Sequence, residues 1–390
     1  MVCQKSKVND WVEHFREHYS YPGNLETGCH PYIVHDLTKW KSEDFKNSDK
    51  FITALWAGQI IYVINYDLIW RRPELKKLKD FTLMLDESSL IQNENSKRSR
   101  FILGLKPKNV ILLSGTPCGG KYELLWSQMH LLGWNISKQM YWDQYVVSHY
   151  EDVSGFPLKI VDGYKNVDRL KRKMREHGCL FLKTEEVMDL PDQIFQKVYV
   201  PVTTAYKKFM RDRIITVEDR ELVGDTTLTK LLYARMLCGV YSVDKLNAFK
   251  DLVESTSDSL IVFYNFNDEL YEMQQILMDK DFENHKRFSL VNGEIKGLKN
   301  YEERSDSITF VQYQSGSMGL NLQKACRIIY FSPPLSSELY EQSKKRIHRI
   351  GQKSTCFYYN LICRGSVEER IYEVLRQRKD YTEALFEFDQ

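Results

Sequence analysis

Gln342-Ser-Lys-Lys-Arg346-Ile-His-Arg349-Ile-Gly-Gln352 places four lysine and arginine side chains within eleven residues. Read as a helix, Arg346 and Arg349 are three apart and share one face, so two guanidinium forks can address a single polyanion such as a triphosphate. A basic run standing alone is ordinarily a solvated helix end. This one is preceded by Phe81-Thr-Leu-Met-Leu-Asp86-Glu87, an apolar run closed by two carboxylates. Adjacent carboxylates at a strand's C-terminal end can divide nucleotide hydrolysis between them: Asp86 to hold Mg2+, Glu87 to orient and deprotonate water. Without its company, the same pair would read as a surface turn after a buried strand.

Apolar runs of strand length, without strict alternation, recur at Gln59 to Asn65, Phe81 to Leu85 and Val110 to Leu113. They recur again at Ser259 to Phe263, Arg287 to Leu290, Ser307 to Tyr313 and Cys326 to Phe331. Such runs predict strands buried on both faces of parallel sheets. Between the two series, the spacing predicts charged helices over Val167 to His177, Tyr206 to Val217 and Thr227 to Cys238. The expected organisation is a first α/β lobe over 1–141, a helical insertion over 142–255, and a second lobe over 256–390 with a closing helix.

At 390 residues the chain allows about two to three domains. The 43% hydrophobic and 28% charged fractions exclude a disordered polymer, and a net charge of +2 means that nucleic-acid affinity must come from local patches. Eight cysteines stand at no zinc-ligand spacing and read as core residues in a reducing compartment. No apolar run approaches the roughly 18 residues of a membrane span, and the N-terminus shows no signal-peptide pattern, so a cytoplasmic, non-membrane protein is expected.

The strand after Asp86-Glu87 ends in Leu113-Ser114-Gly115-Thr116-Pro117, where glycine permits a sharp turn and flanking hydroxyls can sense a phosphate. With Asp86-Glu87 it resembles helicase motifs III and II, and the chain is similar to the Swi/Snf-like branch of superfamily 2 helicases and translocases. Further tracts carry that resemblance: Gln4-Lys5-Ser6 with Trp11 (the end of motif Ia), Tyr62 to Leu68, Phe181 to Pro191, Leu260 to Phe266 (motif IV) and Leu290 to Gly293. Ser315-Gly-Ser-Met-Gly319-Leu-Asn-Leu322 resembles motif V, Gln342 to Gln352 motif VI, and Gly365 to Ile371 the family's closing helix.

The resemblance implies two RecA-like parallel-sheet lobes that cycle ATP and Mg2+ and move on double-stranded DNA. It implies a coupling role for Ser114, Gly115 and Thr116, and nucleotide contacts at Gly319, Gln342, Arg346 and Arg349. DNA phosphate contacts are implied at Lys5, Ser6, Ser315, Gly316 and Ser317. Each lysine reads equally as solvated surface.

The family's motif I, a strand followed by a phosphate-cradling Gly-Lys-Thr or Gly-Lys-Ser loop, has no counterpart in these residues. Gly115 to Lys121 satisfies G-x-x-x-x-G-K, but Tyr122 stands where a Mg2+-binding hydroxyl is needed, and the stretch coincides with motif III. The first lobe is therefore expected to be incomplete at its N-terminus, with an apolar edge beside the Asp86 strand and weak hydrolysis by this chain alone. A non-catalytic DNA-binding or interaction module, and one half of a split motor whose cradle comes from a separate polypeptide, remain open. After Asp86-Glu87 the family's usual Ala-His is replaced by Ser88-Ser89, a variant similar to phage and bacterial relatives.

Overall fold

The computed structural model describes residues 1–19, 32–46, 60–153, 156–182, 189–217, 220–278, 287–316 and 320–386. Contacts divide the chain into two units, Met1–Phe181 with Tyr381–Gln390, and Leu182–Asp380.

The first unit is built on five parallel strands: β1 (Val2–Cys3), β2 (Ile33–Asp36), β3 (Ile60–Asn65), β4 (Thr82–Asp86) and β5 (Asn109–Leu113). Their order across the sheet is β2-β3-β1-β4-β5. Successive side chains leave a strand on opposite faces, so two separate cores form. Val2, Ile64, Leu83 and Leu85 pack with Phe101 and Ile102 of α2 (Lys97–Leu103), whose start is capped by the Ser96 hydroxyl. On the other face Cys3, Val34 and Val63 meet Val8, Val12 and Phe15 of α1 (Val8–Tyr19).

Beyond β5 a third cluster joins α3 (Trp126–Leu131), α4 (Lys138–Tyr145), the antiparallel hairpin β6 (Val146–Val153) with β7 (Phe156–Tyr164), and α5 (Val167–Glu176).

The second unit holds seven strands, all pairs parallel except the last hairpin. In chain order they are β8 (Gln193–Val200), β11 (Leu260–Tyr264), β12 (Phe288–Val291), β13 (Lys296–Gly297), β14 (Ile308–Gln312), β15 (Arg327–Tyr330) and β16 (Cys356–Cys363). Across the sheet they run β13-β12-β14-β11-β15-β16-β8. The small hairpin β9 (Ile214–Val217) with β10 (Arg220–Val223) lies outside it. All five residues of β11 are buried, Leu260 and Val262 in one core and Ile261 and Phe263 in the other, which is what a run without alternation requires. Helices α6 (Thr204–Asp212), α7 (Thr227–Gly239), α8 (Val243–Glu254), α9 (Asn267–Met278), α10 (Ser337–Lys344) and α11 (Val367–Phe386) complete the unit.

The two mixed α/β, parallel-sheet units agree with the expected RecA-like lobes. Three expectations are modified. Residues 142–255, read as one helical insertion, divide between the units: the β6–β7 hairpin and α5 belong to the first, while β8 extends the second sheet and α8 enters its core through Leu246, Phe249 and Val253. The helix expected over Tyr206 to Val217 stops at Asp212, because Arg213 turns left-handed (φ 65) and β9 follows. The apolar edge expected beside the Asp86 strand is absent, since β1 and β5 flank β4 on its two sides. The sheet's edges are β2 and β5, and on β5 Ile111 and Leu113 are 45% and 36% exposed.

Four helices of the second unit meet around charges withdrawn from water. Lys245 of α8 and Glu368 of α11 are both 0% exposed and 2.5 Å apart. Burial works against the Lys245 ammonium, but the Glu368 carboxylate outweighs it and holds its pKa above the ordinary lysine value. Nearby, Glu269 of α9 accepts from the N–H groups of Asn265 and Phe266 and from the Ser332 hydroxyl, and burial pushes its carboxyl upward. Gly239 of α7 makes room for it: a Cβ there would lie 2.2 Å from Glu269 Oε1. Gly239→Ala should therefore lower the unfolding free energy by about 1 kcal/mol or more in urea titration, overpacking outweighing alanine's helix propensity. A gain of about 1 kcal/mol, as at an unobstructed helical glycine, would contradict this packing.

Candidate functional site

In the first unit the register sets Asp86 of β4 opposite Leu113 of β5, so Glu87 and Ser114 leave the sheet side by side at the strands' C-terminal ends. Open parallel sheets collect their ligand-binding groups along that rim. Asp86 Oδ2 accepts a 2.9 Å hydrogen bond from Trp11 Nε1–H of α1. The buried Tyr66 hydroxyl, just past β3, donates to the carbonyls of Asp86 at 2.8 Å and Glu87 at 3.4 Å. Glu87 adopts a left-handed backbone, φ 54 and ψ 59, at the head of a 3-10 turn over Ser88–Ile91. That conformation costs a side-chain-bearing residue about 1–2 kcal/mol, a strain of the kind stored where a side chain must be aimed.

Ser114, Gly115 and Thr116 form a tight turn in which the Ser114 hydroxyl accepts from the Thr116 N–H at 3.2 Å. Thr116 Oγ1 is buried with no hydrogen-bond partner among the described residues. This turn is wired to the Glu87 turn: Ser88 Oγ donates to Gln128 Oε1 at 2.8 Å, and Gln128 Nε2 and Gln92 Nε2 both donate to the Pro117 carbonyl, at 2.6 and 2.9 Å. Ser88 thus links the two turns through Gln128. In the Gly115 to Lys121 stretch the Lys121 N–H donates to the Cys118 carbonyl at 3.0 Å and so is not turned to a phosphate, and burial pushes the Cys118 thiol up to about 12.

Lys5 and Ser6 lie in the 3-10 turn Lys5–Lys7 ahead of α1, with Lys5 exposed and Ser6 Oγ buried without a hydrogen-bond partner among the described residues. One helix therefore runs from this turn to Trp11, whose indole touches Asp86.

In the second unit, α10 ends at Lys344, so Gln342 is helical while Arg346 and Arg349 sit in the turns that follow it. This corrects the expectation of two arginines on one helix face. The chain leaves the helix toward Gly351, whose φ of 95 an α-helix cannot accommodate. Their placement comes instead from bonds to the neighbouring tract. Leu322 N–H donates to the Arg346 carbonyl at 3.0 Å, and Arg349 Nη1 donates to Asn321 Oδ1. Gln352 Nε2 donates to the carbonyls of Gln323 and Ala325 at 3.0 and 2.9 Å. His348 Nε2–H donates to the Pro191 carbonyl at 2.8 Å, which ties this tract to the end of Phe181 to Pro191. Gln342 is held to Glu338 at 3.4 Å.

Ser315 is 3% exposed, in the short helix Tyr313–Gly316. Ser317 and Gly319 lie outside the described residues, as do residues 183–188 of the Phe181 to Pro191 tract.

Sequence reasoning missed Gln92, Gln128, Tyr66 and Asn321. Tyr66 and Asn321 lie inside quoted motif tracts without having been singled out, Gln92 and Gln128 stood apart only by polarity beside apolar neighbours, and the partners are 20 to 40 residues away. Cys238, Cys363 and Glu368 bring ligand atoms within 4.8 Å of one another, but the Lys245 ammonium already neutralises that carboxylate, so the group is structural. No helix among the described residues is long and apolar enough to cross a membrane.

The family profile of the SNF2-related domain matches residues 1–239, and that of the helicase conserved C-terminal domain matches residues 244–351. The chain is 22% identical over 390 residues to an uncharacterized ATP-dependent helicase of Mycoplasma genitalium, MG018, covering 88% of this chain and 36% of that one. It is 22% identical over 347 residues to the putative ATP-dependent helicase/translocase YwqA of Bacillus subtilis, covering 80% and 36%. It is 23% identical over 381 residues to the DNA repair and recombination protein RAD26 of Saccharomyces cerevisiae, covering 86% and 34%. The chain thus spans about a third of the length of these curated relatives. Among solved structures, the C-terminal part of the Fun30 ATPase domain aligns with TM-score 0.39 and 13% identity, over 51% of this chain and 98% of that one.

The strain at Glu87 is measurable. Glu87→Gly should exceed Glu87→Ala in unfolding free energy by about 1 kcal/mol, since both remove the carboxylate and only glycine relieves the left-handed backbone. Equal stabilities in chemical denaturation would show that the residue relaxes in solution.

Proposed function

Since this chain belongs to the SNF2-related family, we propose that it forms the two-lobed body of an ATP-dependent motor of Swi/Snf type that moves on double-stranded DNA. The observation that carries this reading is the Trp11 indole on Asp86, which joins the Lys5–Ser6 turn, a candidate for DNA phosphate, to the carboxylate that addresses the nucleotide.

Asp86 suits Mg2+: its carboxylate stands at the C-terminal rim of a parallel sheet beside the buried Thr116 hydroxyl's turn. Bound there, Mg2+ would offset charge on the ATP phosphates. Glu87 orients the attacking water and takes its proton. Its strained backbone holds the carboxylate for that task, and the Ser88–Gln128–Pro117 chain passes the state of the site to Ser114, Gly115 and Thr116. Arg346 and Arg349 supply positive charge to the transferring phosphoryl group, with Gln342 and Gly319 completing the nucleotide contacts. The Lys5–Ser6 turn and, in the second unit, Gly316 and Ser317 hold DNA through its phosphates, without sequence preference, while the Ser315 side chain is packed inside that unit.

Residues 1–390 taken by themselves contain no Gly-Lys-Thr or Gly-Lys-Ser to cradle a triphosphate; the alternative to the motor is a non-catalytic DNA-binding module or one half of a split motor. ATP turnover with and without duplex DNA separates the readings. The 390-residue chain should turn over ATP negligibly. Adding a strand-and-loop segment bearing Gly-Lys-Thr, fused or in trans, should produce DNA-stimulated turnover. In that background Glu87→Gln should lower the rate by about 10²- to 10⁴-fold, and Arg349→Ala by about 10³-fold or more. Brisk hydrolysis by the unsupplemented chain would refute the cradle argument. Continued silence after the addition would favour the module.

A further inference from the structure

Between Lys165 and His177 stand six lysine and arginine residues and two carboxylates, a local excess of four positive charges on a chain whose total is only +2. Most of this segment is α5, whose apolar side is fixed: Leu170 and Met174 are 0% and 3% exposed and pack with Tyr141, Tyr145 and Trp134. The charged side is therefore presented by a helix that cannot roll. Arg169 and Arg172 are exposed, and neither they nor Lys165 make a side-chain hydrogen bond or ion pair among the described residues. Lys173 is already engaged with Glu176 at 2.5 Å.

Helix stability explains only part of this. Lys173 and Arg175 in the last turn suit the negative end of the helix dipole. Lys165, just before the Asn166 cap, and Arg169 in the first turns lie at the opposite end, where positive charge is unfavourable. Arg169 with Lys173 is also a like-charge pair at i,i+4, costing about 0.2–0.5 kcal/mol. An unfavourable concentration of cations on a rigid element is accounted for by a polyanion that lies against it.

We propose that Lys165, Arg169 and Arg172 form a backbone-tracking contact for duplex DNA, on a different element from the Lys5–Ser6 turn. This rests on the DNA-motor reading above and adds a site to it. Arg169 and Arg172 stand about one turn apart on α5, about 4.5 Å of rise, and Lys165 stands just ahead of the helix, so the three cations can meet neighbouring phosphates of one strand. The contact reads charge and spacing, and carries no base specificity.

The test is fluorescence anisotropy of a labelled 20-base-pair duplex with the 390-residue chain at 50 to 200 mM NaCl. Lys165→Ala/Arg169→Ala/Arg172→Ala should make the slope of log affinity against log salt shallower by about 2 to 3, near 0.9 per lost phosphate contact. Its melting temperature should stay level or rise, because like-charge repulsion is removed. Arg169→Lys/Arg172→Lys should keep the parental slope, since a lysine serves a phosphate as a point charge. Lys207→Ala/Lys230→Ala/Arg370→Ala removes equal charge from the second unit and should leave the slope unchanged. If the first triple variant keeps the parental slope while the parent binds DNA, this inference fails and the motor reading stands. If both triple variants lose slope equally, a diffuse field is responsible and the local contact is refuted. A parent that binds no duplex at 50 mM salt overturns both.

Discussion

Parallel pairing of strands that are distant in the chain is the constraint on which everything else rests. A parallel neighbour cannot follow through a tight turn, so each strand must cross over before it pairs, and every strand leaves the sheet at the same rim. In the first unit this brings Glu87, after β4, beside Ser114, after β5, although 27 residues separate them. In the second, β11 lies between β14 and β15, and the loops that leave those strands carry the tract from Ser315 to Leu322 and lead into α10. Chemistry at these rims follows from the pairing and not from any local feature of the loops.

The carboxylate rim is held by groups outside the motif that contains it. Trp11 fixes the Asp86 side chain, Tyr66 fixes the backbone on either side of the Asp86–Glu87 bond, and Gln92 and Gln128 converge on one carbonyl at Pro117. Each is a modest bond, about 1 kcal/mol in net terms. Their collective effect is to hold Glu87 in a backbone conformation that its side chain disfavours.

The second unit uses a different device. Lys245 and Glu368 meet at 0% exposure, and Glu269 and Arg235 are buried nearby, so α7, α8, α9 and α11 share one desolvated set of charges. Such a pair contributes little net stability over a well-packed apolar substitute, yet it tolerates no displacement of either partner. Its effect is to fix the four helices in one register about the sheet, with Gly239 giving Glu269 the room that any side chain would take.

The apolar runs determined the α/β class and located β3, β4, β5, β11, β12, β14 and β15, because an apolar run of strand length is a local property; burial on both faces holds for β11, whereas β5 is an edge strand with Ile111 and Leu113 exposed. The tracts around Asp86, Ser114 and Arg346 were legible as motifs, since a motif is a set of residue types at short spacing. What the chain's letters did not contain was who pairs with whom. The two residues of β1 are too short for a periodic signal, yet they fill the flank of β4; β8 and α8 belong to the second unit because Val200, Phe249 and Val253 find their apolar partners there. Arg346 and Arg349 took their positions from Leu322 and Asn321 instead of from a helix. Periodicity reports which face of an element is apolar, whereas the partner for that face, and the hydrogen bonds that aim a side chain, are settled only when segments 40 to 123 residues apart close on each other.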